Sequence, residues 1–163
     1  MTRIGLLSDT HTYLHPKIFE VFKDCDEIWH AGDIGNLETI NKLQKFKPAR
    51  AVYGNIDGQS VRISFPEVQV FTIENRKVLM IHIGGYPGRY EKRVTALIAK
   101  EKPDIFISGH SHILKVMYDK KNDLLHMNPG AAGKFGLHQK ITMLRFTIDS
   151  SEIKDLEIIE LDK

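Results

Sequence analysis

Five short apolar runs in the first two thirds of the chain each give way, almost without spacer, to a residue able to hold a metal ion. "IGLLS" leads to Asp9-Thr10-His11, "EIW" to His30-Ala31-Gly32-Asp33, "RAVY" to Gly54-Asn55, "VLMI" to His82, and "IFIS" to Gly109-His110-Ser111-His112. Runs of this length, rich in Ile, Val, Leu and Phe, are the pattern of strands buried on both faces. In α/β folds the carboxyl edges of such strands present functional side chains on loops, where the packed core is undisturbed. The spacing therefore predicts that these strand ends meet.

The rest of the chain fits an α/β architecture. Thr2 to Ser8, Glu27 to His30, Ala49 to Tyr53, Lys77 to His82 and Asp104 to Ser108 are the expected strands of the first part. Helical spacing of apolar residues marks Pro16 to Lys23, Leu37 to Phe46 and Tyr90 to Lys102, the last ending before Pro103. From Val61 onward, Arg62 to Phe65, Val68 to Ile73, Val116 to Tyr118, Leu124 to Met127, Ile141 to Ile148 and Ile153 to Leu161 read as strands joined by turns. The expectation is two mixed sheets packed face to face with helices outside, an α-β-β-α sandwich. A chain of 163 residues suits one domain spanning 1–163.

Charge excludes little: 23 basic against 21 acidic residues give no field that demands a nucleic-acid partner. A lone Cys25 rules out an internal disulfide framework and favours a cytoplasmic setting. The run after Met1 reaches Asp9 too soon for a signal peptide, and no later stretch is long enough to enter a membrane.

Taken one at a time, the candidate ligands have plainer readings. Asp9 and Asp33 could each cap a following helix, His82 could be a satisfied core histidine, and Asn55 a turn residue. The ordered set outweighs those readings. Imidazoles, carboxylates and one amide without a thiolate suit a hard or borderline divalent ion. Asp9, His11, Asp33, Asn55, His82, His110 and His112 are too many for one ion and suit two sharing a carboxylate, as in centres whose ions lie about 3.5 to 4 Å apart.

"SDTH", "AGDI", "GNID", "IH" and "GHSH", in that order, resemble the motif series of the calcineurin-like metallophosphoesterases, and the chain length resembles their small single-domain phosphodiesterase branch. The resemblance runs from Asp9 to about Gly130. It implies the four-layer α-β-β-α sandwich, with one ion held by Asp9, His11, Asp33 and His112 and the other by Asp33, Asn55, His82 and His110. It also implies hydrolysis of a phosphodiester by a hydroxide between the two ions, with Asp33, Asn55 and His82 as catalytic positions. Manganese is the first choice, with iron, zinc, nickel or cobalt as alternatives. The partner is a small phosphoester, without obligatory nucleic acid or membrane, and homo-oligomerisation is left open.

Two departures from the family pattern stand out. Many members follow the asparagine with a histidine that assists the leaving group, whereas this chain has Ile56, which has no proton to give. Asp57, next to it, is a candidate orienting partner for a histidine placed there. Where members often read His-Gly-His, this chain reads His82-Ile83-Gly84-Gly85. The missing histidine keeps a second reading in play: an interaction scaffold of the same fold, as the retromer subunit is.

Two loops are candidates to complete the site. "MNPGAAG" offers N–H groups from Gly130 onward as a phosphate cradle, against a plain Pro-Gly turn. "GGYPGRYEKR" places Arg89 for a substrate phosphate and Tyr86 or Tyr90 for an organic group, against a helix-leading loop with a solvated arginine. His30 is the best candidate to support the ligands from behind, while His15, His126 and His138 are more simply core or solvent groups.

Overall fold

The computed structural model describes residues Met1–Lys163. In chain order the elements are β1 (Thr2–Leu7), α1 (Ile18–Val21), β2 (Glu27–His30), α2 (Leu37–Phe46), β3 (Ala49–Ala51), α3 (Gln59–Ser64), β4 (Val68–Ile73) and β5 (Arg76–Ile81). There follow β6 (Gly85–Tyr86), β7 (Arg89–Tyr90), α4 (Lys92–Glu101), β8 (Ile105–Ile107), β9 (Leu114–Asp119), β10 (Leu124–Pro129), β11 (Lys140–Asp149) and β12 (Glu152–Asp162). Two five-stranded sheets run β12-β11-β1-β2-β3 and β4-β5-β8-β10-β9, with β6 and β7 as a separate hairpin. Both sheets are mixed: β1, β2 and β3 are parallel, as are β5, β8 and β10, and the other pairings are antiparallel.

The apolar runs split cleanly between the faces of their strands, because successive side chains point to opposite sides. Ile4 and Leu6 of β1, Val78 and Met80 of β5, Ile105 and Ile107 of β8, and Leu144, Phe146 and Ile148 of β11 fill one core between the two sheets, with Trp29 fully buried among them. The intervening residues face outward. Leu7, Ile28, Ile141 and Met143 meet Ile18, Phe22, Ile40, Leu43 and Val61 from α1, α2, α3 and their flanks. On the far side, Leu79, Ile81 and Phe106 pack against Val94 and Ile98 of α4. Three cores therefore lie between four layers, as the sequence implies.

Where the structure differs, the causes are local. Residues 62–64 are not a strand but part of α3, with Phe65 as its C-cap, for Val61 and Phe65, four apart, both turn to the core while Ile63 between them is exposed. The alternation Val61-x-Ile63-x-Phe65 satisfies both periods, and only burial decides. Helix α1 is one turn long, and the segment read as helix from Tyr90 begins at Lys92 because Arg89 and Tyr90 pair with Gly85 and Tyr86. Helix α2 is capped by Asn36, whose Oδ1 accepts the Thr39 N–H at 2.9 Å, so Asp33 is not its cap. No helix is long and apolar enough to cross a membrane.

Candidate metal centre

The candidate ligands come from both sheets. Asp9 and His11 follow β1, Asp33 follows β2 and Asn55 follows β3, whereas His82 follows β5 and His110 and His112 follow β8. Their meeting place is the rim where the carboxyl ends of the two parallel sets face each other. Ligand atoms gather there in two groups, Asp9 with His11 and His112, and Asp33 with His82 and His110, each within 4.8 Å. One oxygen links the groups: Asp33 Oδ2 lies 3.4 Å from His11 Nε2 and 3.2 Å from His82 Nε2. Asp9 Oδ1 stands 3.1 Å from His112 Nε2, 3.8 Å from His82 Nε2 and 4.0 Å from His11 Nε2. Asn55 joins the second group through Oδ1, 3.0 Å from His110 Nδ1.

Three of these atoms, Asp9 Oδ1, His11 Nε2 and His82 Nε2, are buried without a hydrogen-bond partner. A buried polar atom left unpaired costs about 1–3 kcal/mol, and three of them aimed at one space suit a bound cation. The residues fit such an ion: oxygen and imidazole nitrogen donors, none of them sulfur. Burial pushes the carboxyls of Asp9 and Asp33 up, but the facing imidazoles, with the Ser8 hydroxyl on Asp9 and the Ile56 N–H on Asp33, outweigh it and hold both below the usual range. Burial pushes His82 down, and the two carboxylates and the Ala31 carbonyl more than reverse it.

Three of the ligands, Asp9, Asp33 and His82, are held from behind. Asp9 Oδ2 accepts the Ser8 hydroxyl at 2.6 Å and the His110 N–H at 3.1 Å, while Asp33 Oδ1 accepts the Ile56 N–H at 3.0 Å. His82 Nδ1–H donates to the Ala31 carbonyl at 2.7 Å, which leaves Nε2 with its lone pair towards the centre. His30 locks the loops after β1 and β2. Its Nδ1 accepts the Gly32 N–H at 3.1 Å, so Nε2–H donates to Thr10 Oγ1 at 2.9 Å, and that hydroxyl donates to the Ile34 carbonyl. Burial pushes His30 down to about 4, which keeps it neutral. At Gly54 the backbone approaches so closely that a Cβ would collide with the Asp33 carboxylate.

The turn demanded by two histidines one residue apart is made by the backbone. His110 and His112 both adopt left-handed φ, 71° and 61°, as do Asp9 at 55°, His11 at 45° and Asp33 at 56°. Asp and His tolerate this region better than most residues, yet it carries strain of about 1–3 kcal/mol at each position. Its concentration in five of the seven candidate ligands marks the rim as built for a purpose other than stability.

The two loops expected to bind substrate are placed otherwise. Gly130 is buried and its N–H donates to Asn128 Oδ1 at 3.0 Å, while Ala132 and Gly133 donate to the carbonyls of Ser8 and Asp9. The Asn-Pro-Gly loop therefore supports the Asp9 segment, and the N–H groups of Gly130, Ala132 and Gly133 are committed within the protein. Arg89 is exposed on β7 and lines neither of the two cavities that flank the ligands. The cations that do line them are Arg62 and Arg93 in a cavity of about 370 Å³ beside Asn55 and His82, and Lys115 in one of about 250 Å³ beside His110. Sequence reasoning missed Asp57 as a support. Its Oδ2 accepts the N–H of Ile34 at 3.1 Å and of Gly54 at 2.8 Å, and its Oδ1 that of Gly35 at 2.8 Å. The only signal was an aspartate in a Gly-rich turn.

The fold and this paired cluster define a class. The calcineurin-like phosphoesterase superfamily domain matches residues 2–151, and the chain belongs to that family. A "probable metallophosphoesterase" of Methanothermobacter thermautotrophicus is 31% identical over 133 residues, covering 78% of this chain and 76% of its own. A Thermotoga maritima protein solved by NMR superposes with a TM-score of 0.75 at 25% identity, covering 99% of this chain and all of that one. Entamoeba histolytica Vps29 complexed with Zn²⁺ superposes with a TM-score of 0.73 over 98% of each chain, and at 19% identity it shares the fold.

Proposed function

We propose that the chain is a metal-dependent phosphodiesterase with two divalent ions, preferably manganese, acting on a small phosphoester in the cytoplasm. The observation that carries this is the set of three buried, unpartnered ligand atoms, Asp9 Oδ1, His11 Nε2 and His82 Nε2, facing one space shared with Asp33 Oδ2. Asp9, His11, Asp33 and His112 would hold one ion, and Asp33, Asn55, His82 and His110 the other. When bound, such a pair supplies hydroxide at neutral pH and neutralises charge on the phosphoryl oxygens.

The residues do the rest. Asp33 would contribute to both positions, since its Oδ2 faces both groups of ligand atoms, and His82 is already oriented by the Ala31 carbonyl. Asn55 is exposed at the mouth, where its NH₂ is free to donate to a phosphoryl oxygen. Nothing at position 56 protonates the departing alkoxide. The test is metal analysis of purified protein together with hydrolysis of bis(p-nitrophenyl) phosphate with and without manganese. Two equivalents of metal and manganese-dependent turnover support the reading; absence of both with manganese, cobalt, nickel or zinc sinks it.

One observation favours the scaffold reading. Ile56, Ile83 and Ile113, each directly after a candidate ligand, are 45%, 38% and 63% exposed and give the mouth an apolar rim that a protein partner could cover. Metal binding without turnover of any diester would favour that reading.

A further inference from the structure

Beside His110 a cavity of about 250 Å³ opens between the β6–β7 hairpin, the start of β9 and the end of β10. Its floor is a row of polar side chains. Lys115 pairs directly with Asn128 across the β9–β10 ladder, which puts both on one face, and Asn128 Nδ2–H donates to Ser111 Oγ at 3.1 Å. Ser111 Oγ also accepts the Ile113 N–H at 3.1 Å. With both lone pairs engaged, the hydroxyl has only its hydrogen left to offer.

Lys115 is in a comparable state. It is half-buried, forms no ion pair with any carboxylate, Glu91 of the same cavity included, and its Nζ lies 4.3 Å from the centroid of the Tyr86 ring. A half-buried lysine without a carboxylate partner, lining the same cavity as a hydroxyl that can only donate, makes a site suited to an oxyanion. Tyr86, Ile83 and Ile113 supply apolar wall around it.

We infer that this cavity receives one arm of the diester, and that the arm is an organic group carrying its own oxyanion, a carboxylate or a phosphate. The inference rests on the phosphodiesterase reading and narrows its substrate class to diesters with an additional negative charge on one side. Lys115 then acts as a specificity residue, and Ser111 as its companion donor.

The experiment compares two chromogenic diesters, 4-nitrophenyl phenyl phosphate and its 4-carboxyphenyl counterpart, with a 4-phosphonophenyl analogue to tell which oxyanion is preferred. The manganese-loaded protein is expected to favour a charged arm in kcat/KM. Lys115→Met is expected to reduce that preference by about tenfold, the size of one charge-assisted hydrogen bond, and Lys115→Arg to retain most of it. A preference unchanged in Lys115→Met overturns the inference. If no diester turns over, the phosphodiesterase reading has failed and calorimetry decides the cavity separately. Binding of 4-carboxyphenyl phenyl phosphate that weakens in Lys115→Met supports the site, whereas binding that is absent or unaffected by the substitution removes it.

Discussion

Asp57 clamps Gly35: its Oδ1 accepts the Gly35 N–H at 2.8 Å, tying the loop after β3 to the loop after β2 that carries Asp33. The other oxygen takes the N–H of Ile34 and of Gly54, so one buried carboxylate satisfies three backbone donors on two loops. Asp57→Ala leaves those donors unpaired and is expected to destabilise the metal-free protein by about 3 kcal/mol. In a chain of this size that lowers the melting temperature by about 6–12 °C. Asp57→Asn, which keeps one acceptor oxygen, is expected to lose roughly half as much. Equal melting temperatures for the two variants and the parent would show that the clamp contributes nothing.

Asp33 and Asn55 are expected to fail differently. Asp33 Oδ2 faces both groups of ligand atoms, so Asp33→Ala should empty both positions. Asn55 approaches only the group containing His110, so Asn55→Ala should weaken one position and leave the other. Metal content after dialysis, and the rise in melting temperature on adding manganese, read this directly, because an ion bound only by the folded state stabilises it by mass action. Two equivalents retained by Asp33→Ala would contradict the shared position.

Ile56 makes the rate depend on the leaving group. Its side chain is 45% exposed beside Asn55 and carries no proton, so an alkoxide must leave unaided or take a proton from water. Aryl diesters are expected to be cleaved well and alkyl diesters poorly. A general acid typically contributes 10²- to 10⁴-fold, and Ile56→His is the natural attempt to restore one. Asp57, the neighbouring carboxylate, has both oxygens committed to backbone, so the new imidazole would stand without its support. A flat dependence of rate on leaving-group pKa in the unmodified protein, with chemistry rate-limiting, would identify another donor.

His126 sets part of the acid sensitivity. Burial against Phe106 pushes it down to about 4, although the Phe106 carbonyl at 3.2 Å partly opposes this. The unfolded chain titrates near 6.5. Between those values the unfolded state holds a proton that the folded state lacks, so stability is complete above about pH 6.5 and falls as pH drops towards about 4. The contribution approaches 1.4 kcal/mol per pH unit, roughly one proton. Urea denaturation of metal-free parent and His126→Phe protein at about pH 7 and pH 5 should show a shallower loss in the variant; parallel losses would refute the assignment.

What the sequence revealed about the centre followed from the strands. Each candidate ligand sits where an apolar run stops, and a run buried on both faces has little choice of secondary structure, so the order of motifs carried the topology and the meeting of Asp9, His11, Asp33, Asn55, His82, His110 and His112. The supports were less visible, because they depend on which loops become neighbours. Asp57 reaches a loop more than twenty residues earlier, and Asn128 spends its side chain on Gly109, Ser111 and Gly130. Position 130 looked like a phosphate cradle only while Asn128 was unplaced. Helix α3 was obscured for a different reason: Val61, Ile63 and Phe65 fit an alternating strand as well as a helix, and the helical choice appears only when Ile63 is seen to face water.

The left-handed backbone at Asp9, His11, Asp33, His110 and His112 sets folding against chemistry. Glycine would occupy each of these positions with less strain, and with it would vanish the side chain on which the proposed reaction depends. Selection for stability alone would therefore erode the centre from the backbone outward, and the scaffold would survive the loss in better thermodynamic order than before. An inactive protein of this shape would thus be the downhill neighbour of an active one, and the proposed reaction is what would hold the five residues where they are.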